Sequence, residues 1–262
     1  MNSLVQYTTD RGVAVLTLSD PPDNAYTFEM MKELDAAILD ARFDNDVHVL
    51  VLTGHGETHF SVGPNLNVLR ETDPAFHYYF TLHAGETMAR LEATPKLCIA
   101  ALNGRASSGG LELALAADLR VARRGVAIGL TDVELGLLPA AGGIQRLVRA
   151  VGKSRALGLI AQSTLLTAEE ALGLGLVHRI VEAESHEAFV AEAVSFARTF
   201  CPPHGAPLAL GRLKRAVHAG AEMALGEAVS LDRELAGALL TTADAKEGLG
   251  SYGRRRPTFR GR

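Results

Sequence analysis

The chain has 262 residues, 47% of them hydrophobic and 21% charged, with a formal net charge of -4. That length supports a sizeable core, as one large domain or a domain with an appendage, and the composition is ordinary for a globular protein. The acidic balance argues against general nucleic-acid binding, and no stretch has the length and apolarity of a membrane span.

A strand-like pattern begins at Leu4 and Val5, without the basic start and apolar block of a secretory signal or an Arg/Ser-rich transit segment, so the expected compartment is cytoplasmic. Short β-branched runs follow at 13–18 (VAVLTL) and 47–53 (VHVLVLT). Between them Met30, Leu34, Ala37 and Ile38 recur at helical spacing, which makes a β-α-β unit. A long amphipathic stretch over 73–92 precedes another buried strand at 96–102. The segment GGLELALAADLRVA reads as a short helix opened by glycines, breaking near Asp118 and followed by a strand at 119–122. Helical patterns then occupy 141–150, 152–162 and 167–173, with a strand at 176–181. From Ser185 onward nearly everything reads as helix, with breaks at Pro202-Pro203 and around Ala219-Gly220. The order predicts α/β first and helices last, with a boundary between 182 and 205: a core over 1–195 and a helical region over 196–262.

Two cysteines, Cys98 and Cys201, make no disulfide framework, and the nine histidines form no spaced ligand set, so no metal site is expected. Cys98, inside KLCIAAL, reads as core.

The strongest constellation for chemistry is NGRASSGGLELALAAD, residues 103–118. Glycines at a helix start let a ligand approach the backbone, and the first turn carries free N–H groups and partial positive charge. Glu112 lies one turn beyond Gly109, so its carboxylate could face the same small volume. The same pattern also suits a tight strand-helix junction with an acid favouring the dipole. A second acid comes from IGLTDVELGLLPAAGGIQRL, where Asp132 and Glu134 lie between Gly129 and Gly136; such loop acids are often solvated or capping. Two carboxylates on separate loops can divide general base and general acid work when burial separates their pKa values.

Together these blocks, with FSVGPNL, GKSRALGLI, LTAEEALGLGLVHRIV and DAKEGLGSYGRRRPTF in the same order along the chain, resemble the enoyl-CoA hydratase/isomerase, or crotonase, family. The resemblance covers essentially the whole chain. It implies a crotonase-like α/β fold of repeated β-β-α turns with a helical C-terminal trimerisation region, a homotrimer or a hexamer built from two trimers, and an acyl-CoA thioester substrate. Coenzyme A then enters as part of the substrate and no other cofactor is required. It also implies an oxyanion hole of two backbone N–H groups, often the largest single catalytic contribution.

Carried over by position, Gly109 matches one oxyanion donor, Glu112 the first catalytic carboxylate and Asp132 the second, usually a glutamate in hydratases. An aspartate sets its oxygens about 1.5 Å further back. Glu134 is an alternative acid whose register fits less well. The other oxyanion donor falls on the residue after Gly63, and here that residue is Pro64, which has no N–H. The replacements expected are the Asn65 N–H, a Ser61 or Asn65 side chain, or water; a missing donor costs about 10²- to 10³-fold in rate. Ser108 stands where glycine is common. Asn24 and Ala25 match the loop near the nucleotide, while Ser61, Val62, Asn65 and Leu66 would line the pantetheine path. Arg255 and Arg256 match a basic tail that can reach CoA phosphates, although a solvated tail has the same composition. Phe76, Tyr78, Tyr79 and Phe80 are expected either in the acyl pocket or in the core, and His59 and His83 either near the pocket or as ordinary histidines.

The expected activity is hydration of a 2-enoyl-CoA. Isomerisation of a Δ3 to a Δ2 double bond, another acyl-CoA lyase or hydrolase reaction, and a CoA-binding homologue weakened by Pro64 are the alternatives, since a fold does not fix its chemistry.

Overall fold

A computed structural model describes residues 3–262. Strands β1 (Val5–Asp10) and β2 (Val13–Leu18) form an antiparallel hairpin, and α1 (Phe28–Phe43) follows, its first turn capped by the Thr27 hydroxyl accepting from the Met30 N–H at 3.2 Å. The chain then repeats one move, laying a strand into a large sheet, a short strand into a small sheet, and then helix. The first pass is β3 (Val49–Gly54), β4 (His59–Ser61), α2 (Leu66–Glu71) and α3 (Pro74–Glu92); the second is β5 (Leu97–Leu102), β6 (Arg105–Ser107) and α4 (Gly109–Leu115). The third is β7 (Leu119–Arg123), β8 (Ala127–Gly129), a 3-10 turn over Asp132–Leu135, α5 (Gly143–Val151) and α6 (Lys153–Ala161). A final pass reverses the order, with β9 (Leu166–Thr167), α7 (Ala168–Gly173) and β10 (Arg179–Val181).

The large sheet has the order β1-β2-β3-β5-β7-β10, parallel except for the first hairpin, and the small sheet has the order β4-β6-β8-β9. Parallel strands buried on both faces read as continuous apolar runs, and β3 is buried along its whole length. Alternation then decides which side each residue faces. Leu16, Leu50, Leu52, Ala100 and Leu102 join the main core with α1, α3 and α4; Val13, Val49, Val51, Ile99 and Ala101 face the opposite side, where Phe189, Ala193 and Ala197 cover them.

Those last three residues belong to α8 (His186–Arg198), so this helix is a layer of the core. A boundary at 195 would cut it three residues before its end. The physical break is the Pro202-Pro203 turn, after which come α9 (Pro207–Gly220), α10 (Leu225–Leu239) and α11 (Ala243–Ser251). The expected break around Ala219-Gly220 falls at the end of α9. Cys98 and Cys201 are both buried, and burial pushes their thiols up to about 12 and about 11, which keeps them protonated and unreactive. No helix among the described residues is long and apolar enough to cross a membrane.

Candidate active site

The loop after β4 explains its glycine and its proline separately. Gly63 has φ +98°, and a Cβ there would stand 2.6 Å from the Gly109 nitrogen, so only glycine lets this loop lie against the start of α4. Residues 63–65 pair with Tyr26 as an isolated parallel bridge: the Tyr26 N–H donates to the Gly63 carbonyl at 2.8 Å, and the Asn65 N–H donates to the Tyr26 carbonyl at 2.9 Å. Pro64 sits between these bonds with its Cδ aimed at Gly109, 2.9 Å from where a Cβ on Gly109 would stand. The direction an amide hydrogen would take is filled by a methylene.

The Asn65 and Ser61 groups expected as replacements are engaged elsewhere. The Asn65 N–H belongs to the bridge, and its side-chain Oδ1 accepts from Asn67 and Val68 to cap α2. The Ser61 hydroxyl donates to the Asn24 carbonyl at 2.8 Å and accepts from the Gly63 N–H at 3.1 Å. Neither residue lines the cavity described below.

Helix α4 starts from a strained residue. Ser108 has φ +49°, in the left-handed region where an L side chain is disfavoured, which accounts for glycine being common at this position. Its N–H donates to the Gly129 carbonyl at 2.9 Å and its hydroxyl shares a hydrogen bond with the Thr131 hydroxyl at 3.0 Å. The hydroxyl is thus tied sideways to the loop carrying Asp132. Gly109 follows as the first helical residue, whose N–H has no intrahelical partner.

One turn on, Glu112 is 3% exposed. Its Oε1 accepts from the Ala141 N–H at 2.9 Å and from the Gly143 N–H at 2.8 Å, so the second acid-bearing segment fixes the first acid. Burial pushes the Glu112 carboxyl up to about 7; the two N–H groups and Arg146 pull it down, and neighbouring Asp132 adds to the rise. Asp132 opens the 3-10 turn and is also raised, chiefly by burial, against its own backbone N–H and the Ser108 hydroxyl. Its Oδ2 is buried without a hydrogen-bond partner. Glu134, two residues on, is exposed and does not reach the cavity.

Both acids line one cavity of about 820 Å³. Pro64, Val62 and Leu66 border it from the β4 loop, and Leu69, Phe80 and Leu137 extend its apolar wall. Of the four aromatic residues expected in the acyl pocket or the core, only Phe80 reaches it. Phe76 stacks against Phe80 behind the wall, at 5.9 Å between ring centroids, and Tyr78 and Tyr79 face solvent. His59 lines the cavity and His83 does not.

The remaining residues matched by position make their contacts within the chain away from the cavity. Asn24, fully buried, donates from Nδ2 to the His55 and His59 carbonyls, each at 2.9 Å, and accepts from the Asp20 N–H; within this chain it holds the β4 loop and does not face the cavity. Ala25 is buried beside it. Arg255 is clamped by Glu247 at 2.5 and 2.9 Å, and neither it nor Arg256 borders the cavity. The tail is docked as well, through the Arg260 and Gly261 N–H groups on the Asp244 carboxylate.

Sequence reasoning missed Tyr26, Arg70, His77 and Arg105, all of which line the cavity. For Arg105 a signal existed: two residues before Ser107 on one strand, it shares that residue's face, while Ala106 between them points into the core.

Comparison with known proteins places the fold and the family. The family model for enoyl-CoA hydratase/isomerase matches residues 8–262. The chain is 32% identical over 243 residues to the short-chain-enoyl-CoA hydratase of Clostridium acetobutylicum, covering 92% of this chain and 90% of that protein. It is 35% identical over 257 residues to the 2,3-dehydroadipyl-CoA hydratase of Escherichia coli, covering 95% and 96%. A crystal structure of an enoyl-CoA hydratase from Geobacillus kaustophilus superimposes with a TM-score of 0.94 at 36% identity, over 100% of this chain and 98% of that one. Near-complete coverage in sequence and in three dimensions, over a crotonase-like fold, leaves one conclusion: the chain belongs to the enoyl-CoA hydratase/isomerase family.

Proposed function

We propose that this enzyme adds water across the double bond of a 2-enoyl-CoA. The thioester carbonyl is held over the first turn of α4, where the Gly109 N–H donates to it. The Glu112 and Asp132 pair works with one shared proton. The ionised member takes a proton from a water molecule as the water oxygen bonds to C3, and electrons move through the double bond onto the thioester oxygen. The protonated member then delivers its proton to C2 as the carbonyl re-forms. One water is consumed, H and OH are added, and the pair again holds one proton, now on the member that took it from the water.

The observation that carries this reading is that Glu112 and Asp132 face one cavity with both carboxyls raised by burial. Isomerisation needs a proton shuttle and no attacking water, so a single well-placed acid serves it; two acids on separate elements, Glu112 on α4 and Asp132 on the 3-10 turn, favour hydration. The apolar wall of Leu66, Leu69 and Phe80 suits an acyl chain.

The test is hydration of crotonyl-CoA by the wild type and by Glu112→Gln. Turnover by the wild type with a loss of about 10²- to 10⁴-fold in the variant supports the reading. Wild-type protein that shifts the double bond of a 3-enoyl-CoA but never hydrates a 2-enoyl-CoA would falsify it.

A further inference from the structure

Pro64 Cδ and the Tyr26 hydroxyl oxygen converge on one point. The position a Cβ on Gly109 would take lies 2.9 Å from the first and 2.1 Å from the second. Two groups therefore crowd the same spot over the first residue of α4; one has no hydrogen to give, and the other is a phenol. So close an approach exists only because residue 109 has no side chain.

Tyr26 is 3% exposed overall yet borders the catalytic cavity, and its hydroxyl oxygen, which makes no hydrogen bond among the described residues, is not sealed off but keeps access to that cavity. With no partner inside the protein, the hydroxyl is free to donate to a ligand oxygen placed in the cavity. The ring is held from two sides. Its backbone is bonded to Gly63 and Asn65, and the Phe80 ring meets it edge-on at 5.9 Å between centroids. Because Tyr26 is the bridge partner of Pro64, the phenol is fixed to the very segment that lacks the amide. Burial first, and then the Glu112 and Asp132 carboxylates, push the phenol well above its ordinary value and keep it in its donor form.

We propose that the Tyr26 hydroxyl is the second donor to the thioester oxygen, so that the enolate is held between the Gly109 N–H and a phenol rather than between two amides. The assignment rests on the acyl-thioester reading given above. It also places a titratable donor beside both proton-handling acids, where most of the catalytic electrostatics act.

The experiment compares wild type, Tyr26→Phe, Pro64→Ala and the double variant by two measurements. One is kcat for crotonyl-CoA hydration. The other is the carbonyl stretching frequency of bound, carbonyl-labelled butyryl-CoA by difference infrared spectroscopy, which requires no turnover. Tyr26→Phe keeps the ring and is expected to lower kcat by about 10²- to 10³-fold and to raise the bound carbonyl frequency. In the Pro64→Ala background, where an amide N–H is restored, the same change is expected to cost at least about tenfold less. Unchanged rate and frequency in Tyr26→Phe overturn the assignment, as does a rate loss with the frequency unmoved. If wild-type protein hydrates no enoyl-CoA but shows a Tyr26-dependent frequency shift, the hydratase reading falls and the donor assignment stands.

Discussion

Glu112 and Gly143 touch so closely that each fixes the other. The Gly143 N–H donates to Glu112 Oε1 at 2.8 Å, and a Cβ on Gly143 would stand 2.4 Å from Glu112 Cγ. Alanine at 143 therefore forces the acid or the start of α5 to move. Overpacking of this kind destabilises by about 1–3 kcal/mol, and a displacement near 1 Å in a catalytic group costs about 10²-fold in rate. Gly143→Ala is expected to show both effects, in a denaturant titration and in kcat. A variant with wild-type kcat would mean that the contact does not position the carboxylate.

The raised Glu112 carboxyl has consequences for pH. Its folded value of about 7 lies above the ordinary 4.5, so between those values the folded chain binds more protons than the unfolded one. Folding then carries no penalty from this group below pH 4.5, a penalty that grows as pH rises through the window, and the full penalty above pH 7, roughly 3 kcal/mol. Glu112→Gln removes it while keeping an acceptor for the two N–H groups. The variant is expected to gain stability relative to wild type as pH rises from about 5 to 8. Parallel stability curves across that range would show that the carboxyl is not held up by burial. On the proposed hydration mechanism the pair needs one proton, so kcat/KM is expected to fall on the alkaline side with an apparent pKa near 7 that belongs to the pair.

Much of this site was legible because its pieces are local. Gly109 and Glu112 are one helical turn apart, and strands such as 13–18 and 96–102 are long enough for their apolar runs to be read. Strands β4, β6, β8 and β9 have two or three residues each, too few to establish a period, so the small sheet was invisible. Tyr26 was hidden for a different reason. Its importance arises from a bridge to Pro64 and an approach to Gly109, contacts between residues far apart in sequence. Asn24 is legible only in part, since its match to a loop position does not reveal that both of its side-chain polar atoms are engaged by backbone groups.

Asp132 trades stability for its position. Its Oδ2 is buried with no partner and its carboxyl is raised by burial, so the ionised form is held at a cost. Asp132→Asn removes the charge with little change in shape. The variant is expected to melt at a higher temperature by an amount corresponding to about 1 kcal/mol, and to lose about 10²- to 10⁴-fold in hydration rate. A drop in melting temperature would show that the carboxylate holds the 3-10 turn together instead.

Helix α9 is fastened to the core by a buried ion pair. Lys214 Nζ lies 2.9 Å from Asp118 Oδ2, with side chains 5% and 9% exposed, and it also donates to the Lys96 carbonyl at 3.1 Å. Asp118 in turn accepts from the Cys98 N–H at 2.7 Å, which links α9 to the edge of β5. Removing one member of such a pair strands the other charge, at about 3–5 kcal/mol, whereas replacing both with apolar residues of similar volume is close to neutral. Lys214→Met alone is therefore expected to destabilise strongly, and Lys214→Met with Asp118→Leu to recover part of the loss; the lost Cys98 N–H bond limits that recovery. Because the pair is shielded from solvent, the single-variant loss should persist at 1 M salt, where the screening length is about 3 Å. A loss that disappears with salt, or two substitutions whose effects simply add, would place the pair among surface interactions of little weight.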